Sequence, residues 1–429
     1  MAGEWIETSL GHVADFLSGG TPSKDRADYW GGAIPWVSAK DMKRFRLEDT
    51  EDHITNDGAK NGTKVVPAGT VFLLARGMTL LNDVPICVSG QAMAFNQDVK
   101  ALRPKSGVRN EFLPYLLLGR KERLLSSVDL AGHGTGRLNS DDLKSLDVLL
   151  PPEPQQRAIA HILGTLDDKI EVNRRMSATL EAMARALFKS WFVDFEPVRA
   201  KAEGRDPGLP PHLAALFPDR LVATEQGEIP EGWSQKPLSD IADFLNGLAL
   251  QKYPASDPAD SLPVIKIAEL RNGISANTDR ASKELPAKYV VNDGDFLFSW
   301  SGSLLAKFWT EGEGALNQHL FKVRSERYPA WFFAEWVQVH LEEFQRIAAF
   351  KATTMGHIQR SHLQAAMTNC PPDDTVARLG TAIQPLVQRT IQIDLESRTL
   401  AALRDTLLPK LISGELRVKD AETFLDRVL

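Results

Sequence analysis

A chain of 429 residues with 43% hydrophobic and 25% charged residues has the balance of a soluble globular protein of roughly two to four domains. No run reaches the roughly 20 apolar residues of a membrane span, the opening Met1-Ala2-Gly3-Glu4-Trp5 has no basic stretch before an apolar run, and Cys87 and Cys370 stand far apart without metal-ligand spacing. Together these exclude a membrane protein, a disulfide framework and a zinc module, and a cytoplasmic location is expected; the formal net charge of −6 further speaks against a free-standing nucleic-acid binder unless positive charge is gathered locally or supplied by other subunits.

From the N-terminus, residues 1–152 mix short apolar runs, at 70–75 and 86–88, with Gly, Pro, Asn and Asp punctuation. That pattern predicts short strands and turns with a few helices, an α/β or α+β domain. Residues 153–195 change character. Ile159, Leu163, Leu166, Ile170, Asn173, Ser177, Leu180, Ala184, Leu187 and Trp191 alternate four and three apart, which places them on one stripe of a long helix in coiled-coil register. About 35 such residues make a rod of ~50 Å. Asn173 is the polar seam residue that fixes register at some cost in stability.

Residues 196–232, with Pro207, Pro210, Pro211, Pro218 and Pro230, read as a semi-ordered connector. Residues 233–372 then return to the pattern of the first domain, with strands expected at 263–268 and 294–299. A second long helix follows over 373–414, its stripe formed by Leu379, Ile383, Leu386, Ile393, Leu400 and Leu407, and 415–429 is a tail. Within it Pro385 is expected to kink the helix or delay its start, and Pro409 to disturb its last turns. Neither stripe can bury itself, so the two helices are expected to pack on each other.

The chain repeats itself. Trp5, Leu10, Ala14-Asp15-Phe16-Leu17 and Gly19 recur at the same internal spacing as Trp233, Leu238, Ala242-Asp243-Phe244-Leu245 and Gly247. In the same order Val65-Val66 and Gly69 answer to Val290-Val291 and Gly294, Asn96-Gln97 to Asn317-Gln318, and Pro151-Pro152 to Pro371-Pro372. Two related heads on two related helical arms suit a target with two halves, and duplex DNA is the most regular such target.

Signs of catalysis are weak. There is no GxxxxGK[ST] phosphate loop. Asn369-Cys370-Pro371-Pro372 is only superficially like the Asn-Pro-Pro-aromatic loop of adenine methyltransferases, and reads as a turn between domain and arm because Pro151-Pro152 repeats it. Gly132-His133-Gly134-Thr135-Gly136 lacks a convincing strand before it, residues 127–131 being a poor one, and is read as a flexible turn rather than a cofactor cradle. His357 and His362 are five apart, not the four that faces two metal ligands together on a helix, and Asp141-Asp142 suits a helix first turn. The chain is therefore expected to be non-catalytic, without a cofactor or metal of its own.

Base reading needs Arg or Lys for guanine and Asn or Gln for adenine, while phosphates take cations and hydroxyls. In the first domain these are Thr21, Ser23, Lys24 and Arg26 in a polar loop, Lys40, Lys43, Arg44 and Arg46 after Trp36, and Arg76 at a strand end. Their counterparts are Lys266, Arg271 and Asn272 after Pro263, Ser301 and Ser303 beside Gly302, and Asn317-Gln318. Trp30, Trp36, Trp300 and Trp309 read as core residues rather than base-stacking platforms. A rival reading is a two-domain scaffold for protein partners without sequence-specific DNA binding, which the acidic balance favours.

Further motifs sharpen the choice: Gly19-Gly20-Thr21-Pro22-Ser23 with Tyr29-Trp30, Gly32 and Ile34-Pro35-Trp36; Leu150-Pro151-Pro152-Glu153-Pro154-Gln155-Gln156; Asp167-Asp168-Lys169-Ile170-Glu171; and Leu187-Phe188-Lys189-Ser190-Trp191-Phe192. To these add Gly227-Glu228-Ile229-Pro230-Glu231-Gly232-Trp233 and the ending Leu407-Leu408-Pro409-Lys410-Leu411-Ile412-Ser413-Gly414-Glu415-Leu416. Through them the chain resembles the specificity subunit of type I restriction-modification systems over essentially its full length. The resemblance implies two target recognition domains, each reading one half of a split double-stranded DNA site. It also implies an antiparallel helical spacer that docks two methyltransferase (modification) subunits and, through them, a restriction subunit. S-adenosylmethionine and ATP with Mg would then belong to those partners. The second arm departs from the first in carrying Asp373-Asp374 in place of Glu153-Pro154-Gln155-Gln156, and in holding Pro385.

Overall fold

The computed structural model describes residues 4–131, 134–257, 259–350 and 356–428. Gly132 and His133 of the glycine-rich stretch lie outside them. The chain folds as two compact units, one made of the residues up to Lys169 together with those from Leu400 onward, the other of Ile170–Thr399. Each unit therefore joins one head to a portion of both long helices, whereas the sequence order alone groups each head with the single helix that follows it.

In the first unit the largest sheet runs Ala14–Ser18, Val99–Pro104, Val71–Leu74, Ile86–Ser89 and Arg46–Leu47 in spatial order. Val71–Leu74 sits centrally and all four residues are buried, which is why this stretch is an unbroken apolar run rather than an alternating one. A four-stranded sheet packs beside it, in the order His53–Ile54, Trp30–Val37, Met93–Phe95, Val65–Val66. Ile6–Ser9 pairs antiparallel with Asp147–Leu150, joining the start of the head to its end just before the helix begins.

The second unit repeats this plan. Asp243–Asn246, Leu320–Arg324, Phe296–Ser299 and Ala306–Phe308 form one sheet, and Arg280–Ser282, Ser261–Ile265, Gly314–Leu316 and Val290–Val291 the other. Ser234–Pro237 pairs with Met367–Cys370 as Ile6–Ser9 does with Asp147–Leu150. The strand expected over 263–268 instead occupies Ser261–Ile265 and gives way to a helix, Ile267–Asn272. The break comes at Lys266, whose backbone N–H donates to the Glu269 carboxylate at 3.1 Å, a helix-starting arrangement that competes with the ladder. In the first head, Asp129–Ala131 is a strand after all, paired with Thr135–Arg137. A three-residue hairpin strand needs little intrinsic propensity once its partner is in place.

The first long helix spans Glu153–Phe188 and passes into a π-helical turn, Lys189–Val193; the second spans Asp373–Ser413. Neither Pro385 nor Pro409 breaks it. Both lie on the exposed face, as do Thr381 and Asp405 four residues earlier, so the carbonyls that lose a donor are left where water reaches them. Ile159, Leu163, Leu166, Leu379, Ile383, Ile393, Leu400 and Leu407 are buried, while Ile170, Leu180, Leu187 and Leu386 are half-buried. In the second unit Asn173 Nδ2 donates to Glu396 Oε2 at 3.0 Å and Ser177 Oγ to Asp394 Oδ1 at 2.9 Å. The partner number falls as the residue number rises, so the helices run antiparallel, and the buried Asn173 amide marks their register.

The stretch 196–232, expected as a semi-ordered connector, is a folded element. It forms helices Glu196–Ala202 and Pro211–Ala214 and the hairpin of Leu221–Thr224 with Gly227–Pro230. Val198, Leu213, Phe217 and Ile229 join the same core as Phe192, Trp233 and Trp331, and Lys201 Nζ donates to the carbonyl of Ala214 at 3.2 Å and to that of Phe217. Its prolines set turns and helix starts, and the scattered apolar residues between them supply the burial that orders it. Cys87 and Cys370 are both buried and free. Among the described residues no helix is long and apolar enough to cross a membrane, and no cluster of His, Cys, Asp and Glu is arranged to hold a metal.

Candidate functional site

In each head an inner strand runs out into a short ledge built on the same backbone pairing; Arg76 is exposed on the first, whereas Ser301, at the matching position of the second, is buried. In the first head Val71–Leu74 continues through Ala75 to Arg76-Gly77, which pairs with Thr135–Arg137 so that Arg76 stands opposite Arg137. The amides of Ala75 and Arg76 both donate to the Asp98 carbonyl, at 2.7 and 3.2 Å, and Leu138 N donates to Ala75 O at 2.9 Å. A Cβ on Gly136 would lie 2.8 Å from the Leu80 side chain, so a glycine is what lets this hairpin approach.

Beneath the ledge Lys100 Nζ donates to Ser18 Oγ at 2.7 Å. Burial, and then the neighbouring Arg137, Arg76 and Lys144, hold its ammonium below the usual lysine range. Arg76 and Arg137 are exposed and make no ion pair among the described residues. Asp129 stands opposite Arg137 on its other side, so two arginines and a lysine against one carboxylate leave the ledge positive and suited to an anion. Thr21 Oγ1 donates to Gln97 Oε1 at 2.6 Å, adding an amide to the rim.

In the second head the register pairs Trp300 with Ala75, Ser301 with Arg76 and His357 with Arg137. Ser301 bridges to His357, Gly302 N donates to Gly356 O at 2.8 Å, and Ile358 N donates to Trp300 O at 2.9 Å. The chemistry differs completely. Trp300 Nε1 donates to Asn246 Oδ1 at 2.9 Å and to Gln318 O at 3.2 Å, and its ring lies 5.8 Å from His319 and 6.4 Å from His357. Ser301 Oγ and His319 Nδ1 are 2.9 Å apart. Half-buried Trp300 packs against the core of the second unit and also walls the site, whereas Trp36 and Trp309 are fully core.

The repeated glycine of the two copies has its reason here. A Cβ on Gly19 would sit 2.1 Å from Phe95 O, and one on Gly247 would sit 2.2 Å from Asn317 O. The turn that carries Thr21 must press against the Asn96-Gln97 loop, and only glycine permits it. Asn96 and Asn317, both buried, shape that loop: Asn96 Oδ1 accepts from the amides of Asp98 and Val99 at 3.0 and 3.1 Å, and Asn317 Oδ1 from His319 N at 3.2 Å. Asn317 is accordingly a loop support and not an exposed reader.

Of the other sequence candidates, several are occupied elsewhere. Arg46 forms an ion pair with Asp168 on the first long helix, so it fastens the head to the helix. Lys40 lies between Glu51 and Asp52, at 3.2 and 3.0 Å, and Lys266 reaches Asp279 at 2.5 Å. Arg26 pairs with Asp28 at 2.7 Å with its guanidinium 4.7 Å above the Tyr29 ring, beside exposed Ser23 and Lys24. Lys43 and Arg44 line a cleft of about 710 Å³ with Lys121, Arg404 and Leu408, facing the end of the second long helix. Arg271 and Ser303 share a shallower depression with Gln345, and Asn272 ends its helix exposed. Thr21, Arg76 and Gln318 are therefore the candidates that reach the ledges, whereas Ser301 is buried like Asn317 and supports its ledge from within. Lys100, Arg137 and Asn246 escaped sequence reading because strand pairing brings them in from far along the chain; aligning Gly136 with Gly356 would have placed Arg137 against His357.

Comparison with known proteins agrees with this duplicated plan. Residues 2–182 match the type I restriction modification DNA specificity domain. The chain is 26% identical to the specificity subunit of the type I restriction enzyme MjaIX of Methanocaldococcus jannaschii, over 97% of this chain and 94% of that one. It is also 26% identical to the HindI specificity subunit of Haemophilus influenzae, over 96% of this chain and 100% of the relative. In fold it is similar to the S subunit of a type I restriction-modification system from M. genitalium, with a TM-score of 0.55 at 14% identity, covering 95% of this chain and 96% of that one. With two like heads and antiparallel helices, the chain is similar to type I restriction-modification specificity subunits over nearly its whole length.

Proposed function

We propose that the chain is a non-catalytic subunit that reads duplex DNA in two halves, one head to each half, and holds two methyltransferase subunits and a restriction subunit around that site. The observation that carries this reading is the duplicated ledge: one glycine-pinned scaffold, presented twice, with different hydrogen-bonding side chains each time. Arg76 and Arg137 have the donors that pair with guanine or phosphate, and Lys100 supports them as a phosphate partner. Gln318 and Asn246 bring amides, which suit adenine, and His319, held by buried Ser301, adds a further donor or acceptor. The number of helical residues along each arm sets the gap between the halves. The chain itself uses no cofactor; S-adenosylmethionine and ATP with Mg serve the partner subunits, in the cytoplasm, and the purified chain alone is expected to methylate and cleave nothing.

The net charge of −6 favours a second reading, a scaffold for protein partners. Mapping methylated adenines in the host genome with and without this gene tests the choice. The expected result is loss of one motif made of two short specified halves around an unspecified gap, together with retention of that sequence by the assembled complex that weakens steeply with salt. An unchanged methylation map, with a complex that ignores DNA at every salt concentration, leaves the scaffold reading.

A further inference from the structure

The two units treat one buried position in opposite ways. In the first, Tyr115 Oη donates to Asp167 Oδ2 at 2.9 Å and Arg404 donates to Asp167 Oδ1 at 2.6 Å. The carboxylate of Asp167 is almost completely buried, and both of its oxygens are satisfied. The register that aligns Pro151 with Pro371, Leu163 with Ile383 and Leu187 with Leu407 sets Tyr115 on Glu335, Asp167 on Val387 and Arg404 on Ala184. In the second unit the guanidinium and its carboxylate partner are thus both gone, and a carboxylate stands where the phenol was.

What remains there is a cavity of about 310 Å³, lined by Ala184, Val387 and Glu335 among others. Glu335 is 9% exposed, and its Oε2, fully buried, has no hydrogen-bond partner. A buried carboxylate oxygen left bare is costly, and native proteins rarely carry one without a use. The charged groups around it are Glu181 and Arg185 from the first long helix, Asp394 from the second, and Lys307 from the neighbouring strand. Three carboxylates against two cations leave the lining acidic, and neither cation reaches Oε2.

We propose that this cavity is a binding site for one guanidinium or ammonium group, taking the place that Arg404 fills in the first unit. The group comes either from a small organic cation or from an arginine or lysine side chain of a partner subunit. The same chemistry serves both: a planar or tetrahedral N–H donor set entering between Glu335 and the Asp394 and Glu181 carboxylates.

Calorimetric titration of the full chain with agmatine, which carries both cationic groups, tests the site. At pH 8 one-site binding is expected, weakened about tenfold or more in Glu335→Gln, where a charge-assisted hydrogen bond is lost, and unchanged in Tyr115→Phe. Burial, opposed by Arg185 and reinforced by Glu181, pushes the Glu335 carboxyl up to about 7, so affinity should fall as pH drops through that value. Ala184→Arg, which supplies the missing guanidinium from within the chain, should abolish agmatine binding and raise the melting temperature. Repeating the titration on the assembled complex separates the two sources: binding that persists identifies a small cation, and binding blocked by assembly identifies a partner's side chain. No agmatine binding by the wild-type chain, or binding indifferent to both Glu335→Gln and Ala184→Arg, overturns the proposal.

Discussion

At the ledge of the first head two arginines face each other across a ladder with a lysine beneath them; at the same positions of the second stand serine, histidine and phenylalanine, walled by a tryptophan. The backbone under them is nearly unchanged. Gly19 and Gly247 make the same close approach, Asn96 and Asn317 support the same loop, and Ala75 O and Trp300 O accept the same bond from the returning strand. What holds a ledge in place is therefore largely backbone, while the side chains differ: Arg76 and Arg137 are exposed on the first ledge, and Ser301 and Phe321 are buried beneath the second. A protein organised this way can change what one head reads without refolding it. The buried centre of each unit shows the converse: there the side chains are the support, and exchanging them leaves a satisfied ion pair in one unit and a cavity in the other.

The comparison can be broken at its strongest point by Arg404→Ala. Removing one partner from the buried pair with Asp167 should cost about 3 kcal/mol of stability in urea unfolding, because the Asp167 carboxylate is left uncompensated. Val387→Ala, at the position in the second unit that corresponds to Asp167, removes only apolar contact and should cost clearly less; equal losses would mean the two centres are not the different supports described above. The ledges are sharpened by Arg137→Ala in the assembled complex. A loss of about 1–3 kcal/mol in binding is expected, with relaxed sequence preference in one half of the site only, whereas His357→Ala should disturb the other half. A change spread over both halves by either variant would remove the assignment of one ledge to one half. The smallest effect is expected from Lys100→Ala, which should leave sequence preference intact and reduce the slope of log affinity against log salt by about 1.

The internal repeat, the helical stripe and the two-headed plan were legible in the sequence because periodicity and spacing are local properties of the chain. Thus Leu163 and Ile383 announced their burial by their neighbours three and four residues away, and residues 70–75 announced a central strand by an unbroken apolar run. The site was legible only in part. Arg76 and Ser301 follow directly from a strand end, but Lys100 and Arg137 reach the same ledge only through pairing across the sheet, which no local pattern encodes. The reverse error has the same origin: Arg46 looks like a free cation until the fold puts Asp168 beside it. Residues 196–232 read as only a semi-ordered connector because proline content is visible locally while the burial of Val198, Phe217 and Ile229 is not. Pro385 is expected to kink the helix or delay its start; the helix starts at Asp373 all the same, because the turn that loses its donor is exposed, which packing decides. By itself the sequence determined the two long helices, the central apolar strands and the duplication of the heads. The tertiary structure alone decided which portions of the long helices join which head, which charges are spent on holding the fold, and which remain to meet a partner, since those depend on distances between residues far apart in the chain.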